Sequence, residues 1–84
     1  MSEKILPNGK IRIENAVDLG RFVHDKRNKD GLTQAETAAL CGVGTRFISD
    51  LENGKVTVEL GKTLQVLKGL GIECLIGPRG WSGL

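Results

Sequence analysis

The chain has 84 residues, twelve Lys or Arg against ten Asp or Glu, a formal net charge of +2, and ordinary apolar and charged fractions of 39% and 26%. That length fits one domain with a modest core, for which a second copy is a ready source of extra stability. The composition excludes a disordered chain, and a charge balance this close to neutral does not by itself announce a nucleic-acid ligand.

In chain order, Pro7-Asn8-Gly9 is a turn signal in a polar start, and Ile11-Arg12-Ile13 alternates as one short strand would. Asn15 reads as an N-cap with Asp18 three residues on. From Ala16 the apolar Leu19, Phe22 and Val23 keep to one side of a helix, which should end near Asn28, before the Lys29-Asp30-Gly31 turn. Gly20 inside it should cost about 1 kcal/mol relative to alanine, and it permits close approach of a neighbouring helix. His24 is expected to be an exposed residue of this helix.

Thr33 and Glu36 have the Thr-x-x-Glu spacing of a capping box and open a second helix. Its Ala35, Ala38 and Ala39 are small enough for another helix to pack closely. Gly42 suits a turn with positive φ. A third helix follows from about Gly44 to Asn53, with Ile48 and Leu51 inward and Gly54 just past its end. Two short helices around such a turn, residues 33–54, are the layout a helix-turn-helix needs to present its second helix to the major groove of DNA.

Thr57 should cap a fourth helix with Glu59 in its first turn. Leu60, Leu64, Val66, Leu67 and Leu70 recur at helical spacing up to Gly71. Ile72-Glu73-Cys74-Leu75-Ile76 reads as a strand stopped by Gly77-Pro78, and a glycine-rich tail carries Trp81. That tryptophan either docks on a partner or sits in a disordered terminus. One histidine and two distant cysteines, Cys41 and Cys74, do not make a zinc site. No secretory signal is present, so both thiols are expected to be reduced and buried in a cytoplasmic protein. No apolar run approaches the roughly 18 residues of a membrane span.

Gly31-Leu32-Thr33-Gln34-Ala35-Glu36, Gly42-Val43, and Ile48-Ser49-Asp50-Leu51-Glu52-Asn53-Gly54 together resemble the Xre-type, phage-repressor-like helix-turn-helix family. The resemblance covers roughly residues 15–71. Downstream, Glu52-Asn53-Gly54-Lys55, Thr57-Val58-Glu59-Leu60-Gly61-Lys62, Leu64-Gln65-Val66-Leu67 and Leu70-Gly71-Ile72 are similar to HipB-type antitoxins, small homodimers paired with a HipA-type serine/threonine kinase toxin.

The resemblance implies a mainly α fold: a four- to five-helix lambda-repressor-like DNA-binding domain with a short C-terminal dimerisation strand. It divides the chain into an N-terminal segment, 1–14, the helix-turn-helix domain, 15–71, the dimerisation strand, 72–77, and a flexible tail, 78–84. Ile72, Cys74, Leu75 and Ile76 would make the strand contacts of a homodimer.

The same resemblance assigns Thr45, Arg46, Ser49 and Asp50 to base-facing positions. Arginine suits bidentate contact with guanine, and threonine can bond a base or touch a thymine methyl. Asp50 is suited either to accept from a cytosine amine or to orient Arg46. Gln34, at the start of the second helix, would meet a phosphate, the alternative being a helix-start glutamine with no partner. Gly44, Asn53, Lys55 and Lys62 are the further phosphate contacts. Arg27 and Glu52 correspond to a structural ion pair that ties the first helix to the recognition helix.

Ala38, Gly42, Val43, Ile48 and Leu51 are packing positions. Phe47 either presses on a thymine methyl or, the reading preferred, packs on a neighbouring loop. Thr37 and Cys41 depart from the aliphatic residues usual there; Cys41 is read as core, and the Thr37 hydroxyl is expected to bond back along its helix.

The implied protein is a cytoplasmic, nucleoid-associated repressor. Its partners are an inverted-repeat operator in double-stranded DNA, a second copy of itself and a HipA-like kinase, with no cofactor, metal or membrane. The alternatives are a free-standing Xre regulator without a toxin and a protein-binding adaptor on the same fold. No paired acids, Ser/His/Asp set, phosphate loop or metal cluster supports an enzyme.

Overall fold

The computed structural model describes residues 10–80, which form four helices. These are α1 (Ala16–Lys29), α2 (Gln34–Cys41), α3 (Thr45–Glu52) and α4 (Leu60–Gly69). The Pro7-Asn8-Gly9 turn and Trp81 lie outside the described residues.

Local chemistry sets most of the helix starts. The Asn15 side chain accepts from the Asp18 amide at 2.8 Å and opens α1. Thr33 and Glu36 complete a reciprocal capping box on α2, with bonds of 3.0 and 2.9 Å. The start of α4 differs from expectation. Its cap is Glu59, whose carboxylate accepts from the Lys62 amide at 2.6 Å, while Thr57 lies in a preceding turn. A carboxylate satisfies an orphan N–H as a hydroxyl does, and adds a negative charge at the positive end of the helix dipole.

The core joins Val23 of α1, Ala38 and Cys41 of α2, Ile48 and Leu51 of α3, and Val66, Leu67 and Leu70 at α4. Leu32, Val43, Phe47 and Ile72 pack against it from the side. α3 rests on α1 and α2, and α2 rests on α4. Phe47 is half-buried and packs against this helical core, where a neighbouring loop is the expected partner.

The expected strands are not formed among the described residues. Ile11 makes a single bridge that does not continue through Arg12 and Ile13. Residues 72–78 have no regular secondary structure, because a strand needs a ladder partner and none of the described residues supplies one. α4 instead closes with a left-handed Gly71 (φ 72°), and the Ile72 amide bonds back to the Leu67 carbonyl at 2.8 Å. This closure folds Ile72 onto the core and leaves Leu75 and Ile76 exposed. Both cysteines are free; Cys41 is buried, but Cys74, expected to be buried, is exposed. Burial pushes the Cys41 thiol pKa up, which leaves it a protonated packing group.

Thr37 also departs from expectation. It is wholly buried, and its hydroxyl has no hydrogen-bond partner. The other buried threonine, Thr63, does bond back one turn, to the Glu59 carbonyl at 2.9 Å. An orphaned buried hydroxyl costs about 1–3 kcal/mol. The isosteric Thr37→Val should accordingly raise stability by roughly 1 kcal/mol in urea unfolding; a lower midpoint would show that the hydroxyl has a partner in solution.

Candidate nucleic-acid interface

The turn between α2 and α3 holds the site. Gly42 sits at φ 73°, a left-handed conformation that disfavours any side chain. The Val43 amide bonds to the Ala38 carbonyl at 3.0 Å, closing α2 before the chain turns. Gly44 then starts α3 with extended backbone, and its carbonyl accepts from the amides of Phe47 and Ile48. Ile48 and Leu51 anchor α3 in the core, so Thr45 and Arg46 project from its other side.

Arg46 is strongly exposed among the candidate readers, with 89% of its side chain accessible. Asp50 lies one turn on, its carboxylate shared between Arg46 Nε at 3.6 Å and Lys55 Nζ at 3.5 Å. Such exposed pairs contribute little to stability, but they gather two cations at one edge of α3. Thr45 is exposed and Ser49 half-buried on the same helix; Asn53 and Gly44 are exposed at its two ends. Lys62 is exposed in the first turn of α4, on a separate element from the Arg46–Asp50–Lys55 cluster.

Behind this edge lies a buried polar cluster centred on Glu52, whose side chain is 4% exposed. Arg27 grips it with two bonds, Nε to Oε2 at 2.6 Å and NH2 to Oε1 at 2.9 Å, and a third Arg27 bond reaches the Leu32 carbonyl at 2.9 Å. Gln34 Nε2 donates to Glu52 Oε1 at 3.1 Å, and His24 Nδ1 lies 3.1 Å from the same oxygen. The same ring nitrogen lies 3.3 Å from Arg27 NH2, and His24 Nε2 lies 2.9 Å from the Asn28 side-chain nitrogen. Burial pushes the Glu52 carboxyl up, but the hydrogen bonds from Arg27, Gln34 and His24 outweigh it and hold the group below the usual carboxylate range. The Arg27 guanidinium is raised in turn, chiefly by its bond to Glu52.

Gln34 is expected either to meet a phosphate or to have no partner; its Nε2 donates to Glu52, which rules out the second. Its backbone N–H, at the first position of α2, is one of the donors a helix start leaves without an intrahelical partner. His24 is exposed, as expected, with 48% of its side chain accessible, and its Nδ1 also reaches the cluster at Glu52. The expected dimer contacts Cys74, Leu75 and Ile76 are exposed, and Ile72 lines a groove with Leu64 and Lys68 of α4. Gln65, singled out for no role by the sequence, bonds to the end of α2.

Two short helices around a glycine turn, the second held outward, have the layout of a helix-turn-helix. The chain belongs to the helix-turn-helix family of transcriptional regulators: a family profile described as a helix-turn-helix domain matches residues 18–73. It is 50% identical over 60 residues to the uncharacterized HTH-type transcriptional regulator y4mF of Sinorhizobium fredii (strain NBRC 101917 / NGR234), a match covering 71% of this chain and 79% of that protein. Among solved structures it is similar to a HipB variant in complex with an O2 20mer, with a TM-score of 0.73, 25% identity, and coverage of 80% of this chain and 93% of that one. A HipA–HipB–O2–O3 complex contains a chain of the same fold, with a TM-score of 0.73 at 24% identity, 80% of this chain and 94% of that one being covered. The chain is thus an Xre-like regulator with a HipB-like fold. Among the described residues no helix is long and apolar enough to cross a membrane.

Proposed function

We propose that the protein is a transcriptional repressor that binds an inverted-repeat operator as a homodimer, and that it is the antitoxin of a HipBA-like pair which autoregulates its own promoter in the cytoplasm and binds a HipA-like kinase. The observation that carries the base-reading part is Arg46, 89% exposed in the first turn of α3 and flanked by Asp50 and Lys55. In the homodimer, two α3 helices enter successive major grooves about 34 Å apart. Thr45, Arg46 and Ser49 read bases, and Asp50 orients Arg46. The backbone at Gln34 and Gly44, with Asn53, Lys55 and Lys62, meets phosphates.

The exposed apolar Leu60, Leu64, Leu75 and Ile76 support a dimer that covers α4 and pairs residues 72–76 with their mates. Burying such surface stabilises an association by about 25 cal/mol per Å² before ordering costs. The antitoxin role is supported by the Glu52–Ile72 resemblance and by a fold shared with HipB, which occurs in a solved complex with HipA. The relative described only as a transcriptional regulator favours the second reading, a regulator without a toxin. An adjacent kinase-like reading frame whose product alters the regulator's gel shift on its own upstream DNA distinguishes the two.

Arg46→Ala should lose about 1–3 kcal/mol of discrimination against the wrong base, roughly 5- to 150-fold. Lys55→Ala should weaken binding to all duplexes alike and flatten the salt dependence by about one unit of slope. Salt-controlled binding to the upstream DNA measures both; unchanged selectivity in Arg46→Ala would remove that residue from the reading edge.

A further inference from the structure

One side chain connects α4 to the reading head. Gln65 Nε2 donates to the Cys41 carbonyl at 2.7 Å and lies 3.3 Å from the Gly42 carbonyl. Both oxygens belong to the end of α2, where the last carbonyls of a helix lack intrahelical donors. A carboxamide nitrogen carries two hydrogens, one for each oxygen. The surrounding junction is tight. A Cβ added at Gly42 would lie 3.0 Å from Gln65 Nε2, and one added at Gly69 would lie 2.5 Å from Cys41 Sγ. The Cys41 thiol itself approaches the Val66 carbonyl at 3.6 Å.

α3 packs chiefly on α1 and α2, and the turn at residues 42–44 joins it to the end of α2 that Gln65 holds. We propose that Gln65 is a positioning residue for DNA recognition: by holding the Cys41 and Gly42 carbonyls it fixes the direction in which the chain leaves α2, and with it the angle at which Thr45 and Arg46 meet the groove. The proposal rests on α3 being the base-reading helix. Base contacts need their groups placed within about 0.5 Å and 10–20°, whereas phosphate contacts carry no sequence information and tolerate small tilts. Losing the Gln65 donor therefore lowers sequence discrimination more than binding to arbitrary DNA.

The test uses the full chain. Wild type enriches a duplex from a random-sequence pool, and affinities for that duplex and a shuffled one are measured at fixed salt. The temperature is one at which melting curves show each variant folded. Gln65→Met, similar in size but without the donor, should lose about tenfold on the enriched duplex, the equivalent of one hydrogen bond, and less than about twofold on the shuffled one. Gln65→Glu turns a carboxylate toward two carbonyl oxygens and should lower the ratio further. Gln65→Asn keeps the amide on a shorter arm and moves the ratio in the same direction should Gln65→Met fail to fold.

An unchanged ratio, or equal losses on both duplexes, overturns the positioning role while leaving the base-reading assignment intact. A wild type that enriches no duplex overturns both.

Discussion

Arg27→Ala should destabilise the domain by about 3–5 kcal/mol, the usual cost of leaving a buried carboxylate without its counter-ion. Domains of this kind are stable by only about 5–15 kcal/mol, and each kcal/mol moves the melting temperature of a chain this small by roughly 4–8 °C. The loss is large because the Glu52 side chain is only 4% exposed and takes two of its bonds from Arg27, and because Arg27 also holds the Leu32 carbonyl at the exit of α1. Replacing both members, Arg27→Met with Glu52→Leu, should recover much of the deficit, since the pair must offset its own desolvation.

The pair also sets a pH dependence. The folded-state pKa of Glu52 is lowered relative to its unfolded value. Its contribution is therefore complete above the unfolded value and is lost as pH falls through the folded one, below the ordinary carboxylate range. Melting curves of wild type and Glu52→Gln should converge on acidification; a gap that stays constant to strongly acidic pH would contradict this assignment.

Gly20→Ala should destabilise the protein by roughly 2 kcal/mol, the scale of overpacking a core. Helix propensity alone predicts the opposite, a gain of about 1 kcal/mol. The sign is decided by what a Cβ would meet: it overlaps the Leu51 carbonyl oxygen and lies 2.8 Å from that of Glu52. Both are backbone atoms, so no side chain can turn away, and α1 must separate from α3. That separation pulls on the Arg27–Glu52 bonds, which bridge the same two helices. Gly20→Ala and Arg27→Ala should therefore not be additive. A Gly20→Ala protein that melts at or above the wild-type temperature would mean the helices have room to move apart.

Much of this architecture could be read from local sequence, and the reasons are local. Asn15 and the Thr33–Glu36 box act within three residues, so spacing alone revealed them. Hydroxyl residues are the commoner caps, which favours Thr57 in the sequence, and only the backbone path shows that Glu59 faces the Lys62 amide. Arg27 and Glu52 lie 25 residues apart and were legible only through a resemblance.

The bonds of Gln34 and His24 to Glu52, and of Gln65 to α2, have no periodic signature at all. Helical phase marks such residues as surface, and their partners arrive only when the chain folds. The strand expected at residues 72–76 has an apolar pattern, but pairing is a property of two segments, and in the one chain residues 72–78 have no regular secondary structure. On the interface, the phase of α3 already separated Ile48 and Leu51 from Thr45 and Arg46. What phase could not show was that Asp50 sits between Arg46 and Lys55.

Because the α3 residues that hold the helix in place and those that face outward are different residues, the protein has a modular evolutionary surface. Ile48 and Leu51 are almost fully withdrawn from solvent, while Thr45 and Arg46 carry none of the core. Drift at positions 45 and 46 is therefore nearly free of folding cost. With Thr45 and Arg46 as the base readers proposed above, a duplicated copy of the gene could diverge to a new target by one or two exchanges at these exposed positions before either scaffold had changed.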